Sequence, residues 1–204
     1  MIKAIFREED HKYFLDEAMT KEIPSVSSLL EHFGYSNFDN LRRMGKGDLI
    51  ERAANYGGVV HQTLRLYDEG RLDNFDDTIF AEVQAWRQFI ADYKPDFLIV
   101  EEPLISKVWG FGGTPDRYWL DNLVDIKTGQ STAAHALQTA FYKILIEENF
   151  PTFKVKNRFT VQIKDGYKVI PHKDRNDEAI VKSMLTIYND KNKKGLLNGN
   201  HDRD

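Results

Sequence analysis

Three absences limit what this chain of 204 residues can do. It contains no cysteine, which excludes disulfide bonds, thiolate zinc sites, a cysteine nucleophile and a cysteine-ligated iron–sulfur cluster. It has no run of about 18 apolar residues that could form a membrane span. Its first residues, MIKAIFREEDHKYF, contain no long apolar stretch either. We therefore expect a cytoplasmic protein that has no membrane partner.

The third feature that the chain lacks is an excess of positive charge. The formal net charge is −4, which argues against a protein that coats nucleic acid over its whole surface, because such domains are usually basic. Local contacts with nucleic acid stay open. Hydrophobic residues make up 41% of the chain, with 13 Phe, 9 Tyr and 3 Trp, and this composition is typical of a protein with a folded core.

The pattern of apolar residues and turn residues predicts an α/β protein of one domain. Asp48 is the predicted N-cap of the first long helix, and Asp121 with Asn122 is the predicted turn between two strands. The predicted parts are an N-terminal hairpin and short helix at 1–47, a core at 48–190 and a flexible tail at 191–204. Helices are predicted at 48–67, 77–93, 132–148 and 177–190, and strands at 96–106, 113–120, 123–128, 153–163 and 166–172.

Two aspartates and a lysine stand in predicted strands, where charged residues are disfavoured. Asp116 lies in one strand, and Asp125 and Lys127 lie in the next. Because side chains alternate along a strand, Asp125 and Lys127 share one face while Ile126 points to the other. Burying such charges is costly unless they are paired or bind a metal. The three residues form either an ion pair at a strand edge or, since converging carboxylates need a cation between them, a site for Mg²⁺ or Mn²⁺.

These residues belong to a set of motifs that resembles the PD-(D/E)XK nuclease superfamily, in particular its RecB-like branch, which includes many phage exonucleases. The stretches TPD and DIK match the acidic–acidic–lysine signature of the family. The stretch YGGVVHQTL resembles the glycine-to-histidine helix motif of the branch, and LQTAFYKIL resembles its Gln-x-x-x-Tyr motif. The stretch HKYFLDEAMTKEIPSVSSLL is similar to the N-terminal part of phage members. Together the motifs span residues 11–145.

The resemblance implies an α/β, restriction-endonuclease-like core, with a central mixed β-sheet flanked by helices and with N-terminal helical additions. It implies a deoxyribonuclease that depends on Mg²⁺ or Mn²⁺ and hydrolyses phosphodiester bonds from DNA ends, in phage or bacterial recombination, repair or replication. The expected substrate is double- or single-stranded DNA, and a second copy of the chain or a recombination or replication protein is a candidate partner. If the protein is phage-encoded, it would act in the bacterial host cytoplasm. Many relatives hold an iron–sulfur cluster on four cysteines, which this chain lacks.

The resemblance also assigns roles to particular residues. The expected metal ligands are His61, Glu101, Asp116, Asp125 and the carbonyl group of Ile126. The expected catalytic residues are Asp116, Asp125, Lys127, Gln138 and Tyr142. Lys127 would position the attacking water and neutralise the charge that develops on phosphorus. The glutamine and the tyrosine would bind the substrate phosphate or brace the metal ligands.

Two of these expectations depend on local geometry. Glu101 and Glu102 project from opposite faces of a predicted strand. The Glu-x-Pro spacing of the family favours Glu101, although a bulge near Pro103 would exchange the two faces. Gly57 and Gly58 stand in the helix of the glycine-to-histidine motif, where each glycine is less favourable than alanine by about 1 kcal/mol. We expect them to permit the close approach of another group.

Three other functions stay open at this point. A nuclease fold without activity could serve as a DNA-binding or assembly subunit, although the intact acidic–acidic–lysine set argues against this. A structure-specific endonuclease would use the same residues on a different DNA. A metal-dependent phosphatase would use them on small phosphate esters. Cleavage assays with DNA and with chromogenic phosphate esters distinguish these functions.

Overall fold

The computed structural model describes residues 5–36 and 43–197 of the chain. Its strands are β1 (Ile5–Arg7), β2 (Lys12–Phe14), β3 (Glu22–Ile23), β4 (Ile99–Val100), β5 (Leu104–Ser106), β6 (Phe111–Gly113), β7 (Arg117–Trp119), β8 (Asn122–Lys127), β9 (Asn157–Lys164) and β10 (Gly166–Pro171). Its α-helices are α1 (Val26–His32), α2 (Gly47–Asp68), α3 (Phe80–Tyr93), α4 (Ala133–Asn149) and α5 (Asn176–Lys193). A short 3₁₀ turn, Asp77–Ile79, leads into α3.

Five of these strands form a central mixed sheet in the order β10-β9-β8-β7-β4. Strands β8 and β9 are parallel, with Asp125 opposite Thr160, and the other neighbours are antiparallel. A parallel pair needs a long crossover connection, and α4 lies in the connection between β8 and β9. The predicted α/β class, with a central mixed sheet flanked by helices, is confirmed.

A hydrophobic cluster covers each face of this sheet. On one side, Leu123 and Tyr118 pack with apolar residues of α1, α4 and α5. On the other side, Val124 and Ile126 pack with apolar residues of α2 and α3. Because side chains alternate along a strand, Asp125 shares the α4 side with Leu123. The apolar alternation of β8 therefore fixes the direction in which this aspartate points.

Two predicted strands, 96–106 and 113–120, are each broken in the structure, so their predicted continuity is wrong. The first predicted strand divides into β4 and β5, and the second lies over the end of β6 and the whole of β7. Strands β4 and β7 pair in the central sheet, whereas β5 and β6 pair in a separate two-stranded sheet. A proline stands in each break, and its nitrogen cannot donate a hydrogen bond to a strand ladder. The breaks lie side by side, because the Glu101 N–H donates to the Asp116 carbonyl at 2.9 Å. Both acidic residues thus lie where the chain passes between sheets.

The predicted N-terminal hairpin is present as β1 and β2, and β3 extends it to a three-stranded sheet. This sheet lies so close to β6 that a Cβ atom at Gly112 would come within 2.3 Å of the Tyr13 ring. Glycine is required there by close approach. The helix glycines Gly57 and Gly58 differ, because a Cβ atom on either would meet nothing within 4 Å. No described part of the chain approaches them, contrary to expectation.

Two predicted boundaries are displaced by one or two residues. The N-cap of α2 is Lys46 rather than Asp48. Asp48 lies in the first turn, where its negative charge interacts favourably with the positive end of the helix dipole. The turn between β7 and β8 is centred on Leu120 and Asp121, both with positive φ, as in the type I′ turns of tight hairpins. Asn122 is already the first residue of β8.

The last helix is longer than predicted. It continues through Lys193, so the predicted tail is wrong in its first three residues, and the Leu196 N–H still donates to the Lys191 carbonyl at 2.9 Å. The remaining tail residues, 198–204, lie outside the described residues, as do 1–4 and 37–42 of the predicted N-terminal segment. Of the helices within the described ranges, none combines the length and apolar character needed to cross a membrane.

The first turn of α4 contains a histidine that responds to pH. The His135 Nδ1 atom accepts a hydrogen bond from the Thr132 N–H at 3.3 Å, which requires the neutral ring. Burial, followed by the positive charges of Lys127 and His172, lowers the pKa of His135 to about 4 from 6.5. Because the unfolded chain binds this proton more readily, stability is lost as the pH falls from 6.5 toward 4.

His135→Gln is expected to reduce that loss. Glutamine at the third helical position can still accept the Thr132 N–H but does not titrate. Between about pH 7 and about pH 4.5, the variant should lose less unfolding free energy than wild type, by on the order of 1 to 2 kcal/mol, because one unit of pKa shift corresponds to about 1.4 kcal/mol before solvent screening of this partly exposed ring. Urea denaturation at the two pH values measures the difference, and equal losses in both proteins would contradict this account.

Candidate active site

The two aspartates of the signature meet across neighbouring strands. Arg117 and Val124 are paired in register, so Asp116, just before β7, lies beside Asp125 and Ile126 of β8. Asp116 is 6% exposed and Asp125 is 0% exposed. The Ile126 N–H donates to Asp116 Oδ2 at 2.6 Å. This bond fixes the orientation of the Asp116 carboxylate and leaves its other oxygen free for a second contact.

Lys127 forms an ion pair with Asp125, with 2.8 Å between Nζ and Oδ1. Burial raises the pKa of Asp125 to about 6; Asp116 adds to the rise and Lys127 opposes it. Burial disfavours the charge of Lys127, but Asp125 and Asp116 outweigh burial and raise the Lys127 pKa. The lysine is therefore an ammonium ion at neutral pH. It can donate hydrogen bonds but cannot act as a general base.

His61 approaches the aspartates from α2. Its Nδ1 atom lies 3.5 Å from Glu101 Oε1 and 3.8 Å from Asp116 Oδ1. Burial alone would lower the His61 pKa, but Asp116 and Glu101 outweigh burial and raise it. In the same way, burial opposes the charge of Glu101, while His61 and Arg117 outweigh it and lower the Glu101 pKa. The structure thus brings a helix, a loop and a strand edge to one point.

The structure brings Glu101 to His61, which is the alternative that the resemblance favoured over Glu102. Both glutamates line a recess of about 620 Å³ beside the site. The N-terminal sheet and the start of α1 form one wall of this recess. Its other lining residues include Phe6, Tyr13, Ser25, Arg65, Thr114 and Tyr142. The metal-binding roles of Glu101, His61 and the Ile126 carbonyl stay predictions.

Gln138 and Tyr142 share one face of α4, as their spacing predicts, and they contact each other. The Gln138 side-chain amide donates to the Tyr142 hydroxyl at 2.9 Å. Burial, followed by the charges of Asp116 and Asp125, raises the Tyr142 pKa well above its ordinary value. The hydroxyl therefore keeps its proton, and because it accepts from Gln138 it can donate that proton to another acceptor. The expected roles of Gln138 and Tyr142, binding the substrate phosphate or bracing the metal ligands, stay predictions.

The side chains at the site suit a hard divalent cation. Four of them carry ligand atoms: His61, Glu101, Asp116 and Asp125. Carboxylate oxygens are the usual protein ligands of Mg²⁺, and Asp125 Oδ2 is fully buried without a hydrogen-bond partner. Within residues 5–36 and 43–197, no three such side chains already converge as a metal cage. Glu101 and Asp125 also accept hydrogen bonds from Arg117 and Lys127, and carboxylates that ligate a metal are commonly hydrogen-bonded in this way.

Sequence reasoning missed three residues next to the site. Arg117 is fully buried and donates to Asp68 and Glu101 at 2.6 and 3.1 Å. The Trp86 indole N–H donates to the other Asp68 oxygen at 2.9 Å. A signal was present, because an arginine directly before the apolar residues YWL in a predicted strand needs a partner if it is buried. The sequence does not say which carboxylates supply it.

Comparisons with known proteins give similarities of fold. No family model matches the chain, and no curated protein matches it. A solved structure of a candidate exonuclease from Eubacterium rectale is 14% identical, with a TM-score of 0.45 over 69% of this chain and 68% of that one. LHK-Exo, solved in complex with dAMP, is 12% identical, with a TM-score of 0.47 over 85% of this chain and 89% of that one.

Proposed function

We propose that this protein is a metal-dependent DNA nuclease that hydrolyses phosphodiester bonds from DNA ends. The observation that carries the proposal is the convergence of Asp116 and Asp125, both buried, with Lys127 paired to Asp125 at 2.8 Å. An ordinary surface ion pair does not account for the second carboxylate or for the orphaned Asp125 Oδ2 atom. A buried polar atom without a partner calls for an explanation, and a bound cation supplies one.

Each residue of the site has a distinct task in this proposal. His61, Glu101, Asp116 and Asp125 would hold Mg²⁺ or Mn²⁺, with the Ile126 carbonyl as a further ligand. When bound, the metal ion supplies polarisation of the phosphoryl oxygen and a lower pKa for the attacking water. Lys127, kept protonated by the two aspartates, donates to the water or to the oxygen on which charge develops.

Tyr142 and Gln138 act as a pair on the substrate side. The Tyr142 hydroxyl stays protonated and accepts from Gln138, so its proton is directed away from the glutamine. We propose that it donates to a phosphate oxygen of the bound strand. Preorganised donors of this kind stabilise a transition state because they need no reorientation during the reaction.

We propose DNA ends as the substrate because the reacting groups are recessed. Asp125 is fully buried, and the recess that Glu101 and Tyr142 line is walled by the N-terminal sheet and α1. The end of a DNA strand can enter such a recess. A phosphate within an intact duplex cannot reach the bottom of the recess unless the duplex unwinds. By resemblance, the products would carry 5′-phosphates, and the biological setting would be phage or bacterial recombination, repair or replication.

The test is a time course of digestion in Mg²⁺ and in Mn²⁺. End-labelled linear duplex, linear single-stranded DNA and covalently closed circular DNA are compared at one enzyme concentration. Linear DNA is expected to be degraded while the closed circle survives, and labels at either end report the polarity. Rapid nicking of the circle would establish a structure-specific or general endonuclease instead. The absence of cleavage of every DNA form in the presence of metal would favour a catalytically silent DNA-binding subunit.

A further inference from the structure

We propose that Arg117 is a positioning residue that holds together the three chain segments carrying His61, Glu101 and Asp116. This inference rests on the proposed function, because it concerns how the reacting groups of that function are kept in place. Arg117 follows Asp116 directly in the chain but points to the opposite side of the sheet, toward α2 and α3. Its side chain donates to Glu101 and to the Asp116 backbone, so it acts on the reacting groups through these residues.

The Arg117 guanidinium makes directional bonds to all three segments. Its Nε atom donates to Asp68 of α2 at 2.6 Å, and Nη1 donates to Glu101 Oε1 at 3.1 Å and to the Asp116 carbonyl at 2.7 Å. The side chain is 0% exposed and lies over the Trp86 ring, 5.7 Å from its centroid. A planar group with fixed donor directions therefore determines the distances among the segments.

The bond to Asp68 bears directly on His61. Asp68 lies seven residues after His61 on α2, close to two helical turns, so both side chains leave the same side of the helix. Asp68 also accepts from Trp86 of α3 at 2.9 Å. Anchoring Asp68 to Arg117 therefore fixes the rotation and height of α2 relative to β7. The position of the histidine follows from that of the helix.

The bond to Glu101 supports a strained backbone. Glu101 has φ +46, a left-handed conformation that costs a residue other than glycine of order 1 kcal/mol or more and persists only when its surroundings impose it. The Asp116 carbonyl accepts from both the Glu101 N–H, at 2.9 Å, and Arg117 Nη1. The same Arg117 nitrogen also holds the Glu101 carboxylate. The Asp116 carbonyl and the Arg117 guanidinium thus fix both the backbone and the side chain of Glu101.

Stability alone does not explain this arrangement. Replacing a buried ion pair by apolar residues of similar volume is often neutral or stabilising, because the desolvation of the charges offsets their attraction. An apolar cluster, however, could not orient a carboxylate beside a histidine. Lysine at this position would keep the charge but lose the fork, since an ammonium is a point charge on a flexible stem.

The test compares Arg117→Lys with a matched control, Arg158→Lys. Arg158 is a buried arginine too: it pairs with Asp177 at 2.7 Å, with side chains 7% and 8% exposed, and donates to the Ala136 carbonyl at 2.7 Å. It contacts none of the proposed site residues. Both variants keep the positive charge but lose the planar set of guanidinium N–H donors, so both should lower the melting temperature. Three further quantities separate positioning from stability.

Arg117→Lys is expected to raise the Mn²⁺ concentration for half-maximal thermal stabilisation by about 10-fold or more, the usual effect of losing a group that orients metal ligands. It should lower kcat by a similar factor and leave KM for DNA unchanged. In the metal-free protein, the Glu101 amide hydrogen should exchange faster. Arg158→Lys should leave all three at wild-type values. If Arg117→Lys does not fold, Asp68→Asn replaces it and should change the same quantities in the same direction.

The outcomes distinguish this inference from the proposed function. A folded Arg117→Lys or Asp68→Asn protein with wild-type Mn²⁺ response, kcat and Glu101 exchange would overturn the inference and leave the nuclease proposal standing. Equal functional changes in the Arg158→Lys control would overturn it as well, because they would show a general effect of destabilisation. A wild-type protein with neither cleavage nor a Mn²⁺ response would overturn the proposed function and this inference together.

Discussion

Lys127→Met is expected to lower the rate of DNA cleavage by at least about 100-fold, the usual effect of removing one donor that stabilises a transition state. The fold should remain, because the Asp125 carboxyl has an alternative to becoming a bare buried charge. Its pKa is already raised to about 6 by burial, and it will rise further without the lysine, so the carboxyl takes up a proton. Initial rates on linear duplex DNA in Mg²⁺ measure the loss, with circular dichroism to verify folding.

The control for this prediction is Lys168→Met. Lys168 is an exposed lysine in β10, so the same substitution removes one positive charge from the sheet without changing the site. Its cleavage rate should stay close to wild type. Near-wild-type cleavage by folded Lys127→Met protein would remove the lysine from the mechanism, whatever the activity of the control.

The aspartates should behave as part of one unit with the lysine. Asp116→Asn and Asp125→Asn are each expected to lower cleavage to a similar degree, and adding Lys127→Met to either should cost little more. Groups that act together in one transition state are strongly non-additive, since the first loss already disables the step. Losses that multiply in the double variants would indicate independent contributions instead.

The sequence predicts those parts of the site that depend on local periodicity. Asp125 and Lys127 share a face because strand side chains alternate, and the structure pairs them at 2.8 Å. The four-residue spacing of Gln138 and Tyr142 likewise predicts the contact that the structure shows at 2.9 Å. In both cases the residues are close in sequence, so the secondary structure alone determines their distance.

The sequence does not predict the parts that depend on tertiary packing. Arg117 finds Asp68 and Glu101, which are 49 and 16 positions away in the chain, and their meeting requires the packing of α2 against the sheet. At the two strand breaks the chain changes its pairing partner: β4 and β7 pair in the central sheet, and β5 and β6 pair in the smaller sheet. Alternation cannot reveal such a change of partner, although the prolines mark where it occurs.

Mn²⁺ or Mg²⁺ is expected to raise the melting temperature of the wild-type protein. A cation between the carboxylates relieves their repulsion, and a ligand that binds the folded state alone stabilises it by about 2.7 kcal/mol at 100 times its dissociation constant. For a chain of this size, that free energy corresponds to a shift of roughly 5 to 11 °C. Differential scanning fluorimetry with and without the metal measures it, and a chelator should reverse it.

The shift should also depend on pH in a defined direction. The pKa values of His61 and Asp125 are both raised, that of Asp125 to about 6, so protons occupy ligand atoms in the metal-free protein. Metal binding must displace these protons. The shift at a fixed metal concentration should therefore be larger at about pH 8 than at about pH 6.

Two variants determine whether the metal ion binds at this site. Asp116→Asn keeps the size of the side chain and an oxygen that can accept the Ile126 N–H, but it removes one ligand charge, so most of the shift should disappear. Asp73→Asn removes an exposed carboxylate in the connection between α2 and α3, and its shift should equal that of wild type. Equal shifts in Asp116→Asn and wild type would place the metal elsewhere. Because cleavage and melting are measured separately, that result would leave the effect of Lys127→Met on the reaction as an independent test of the site.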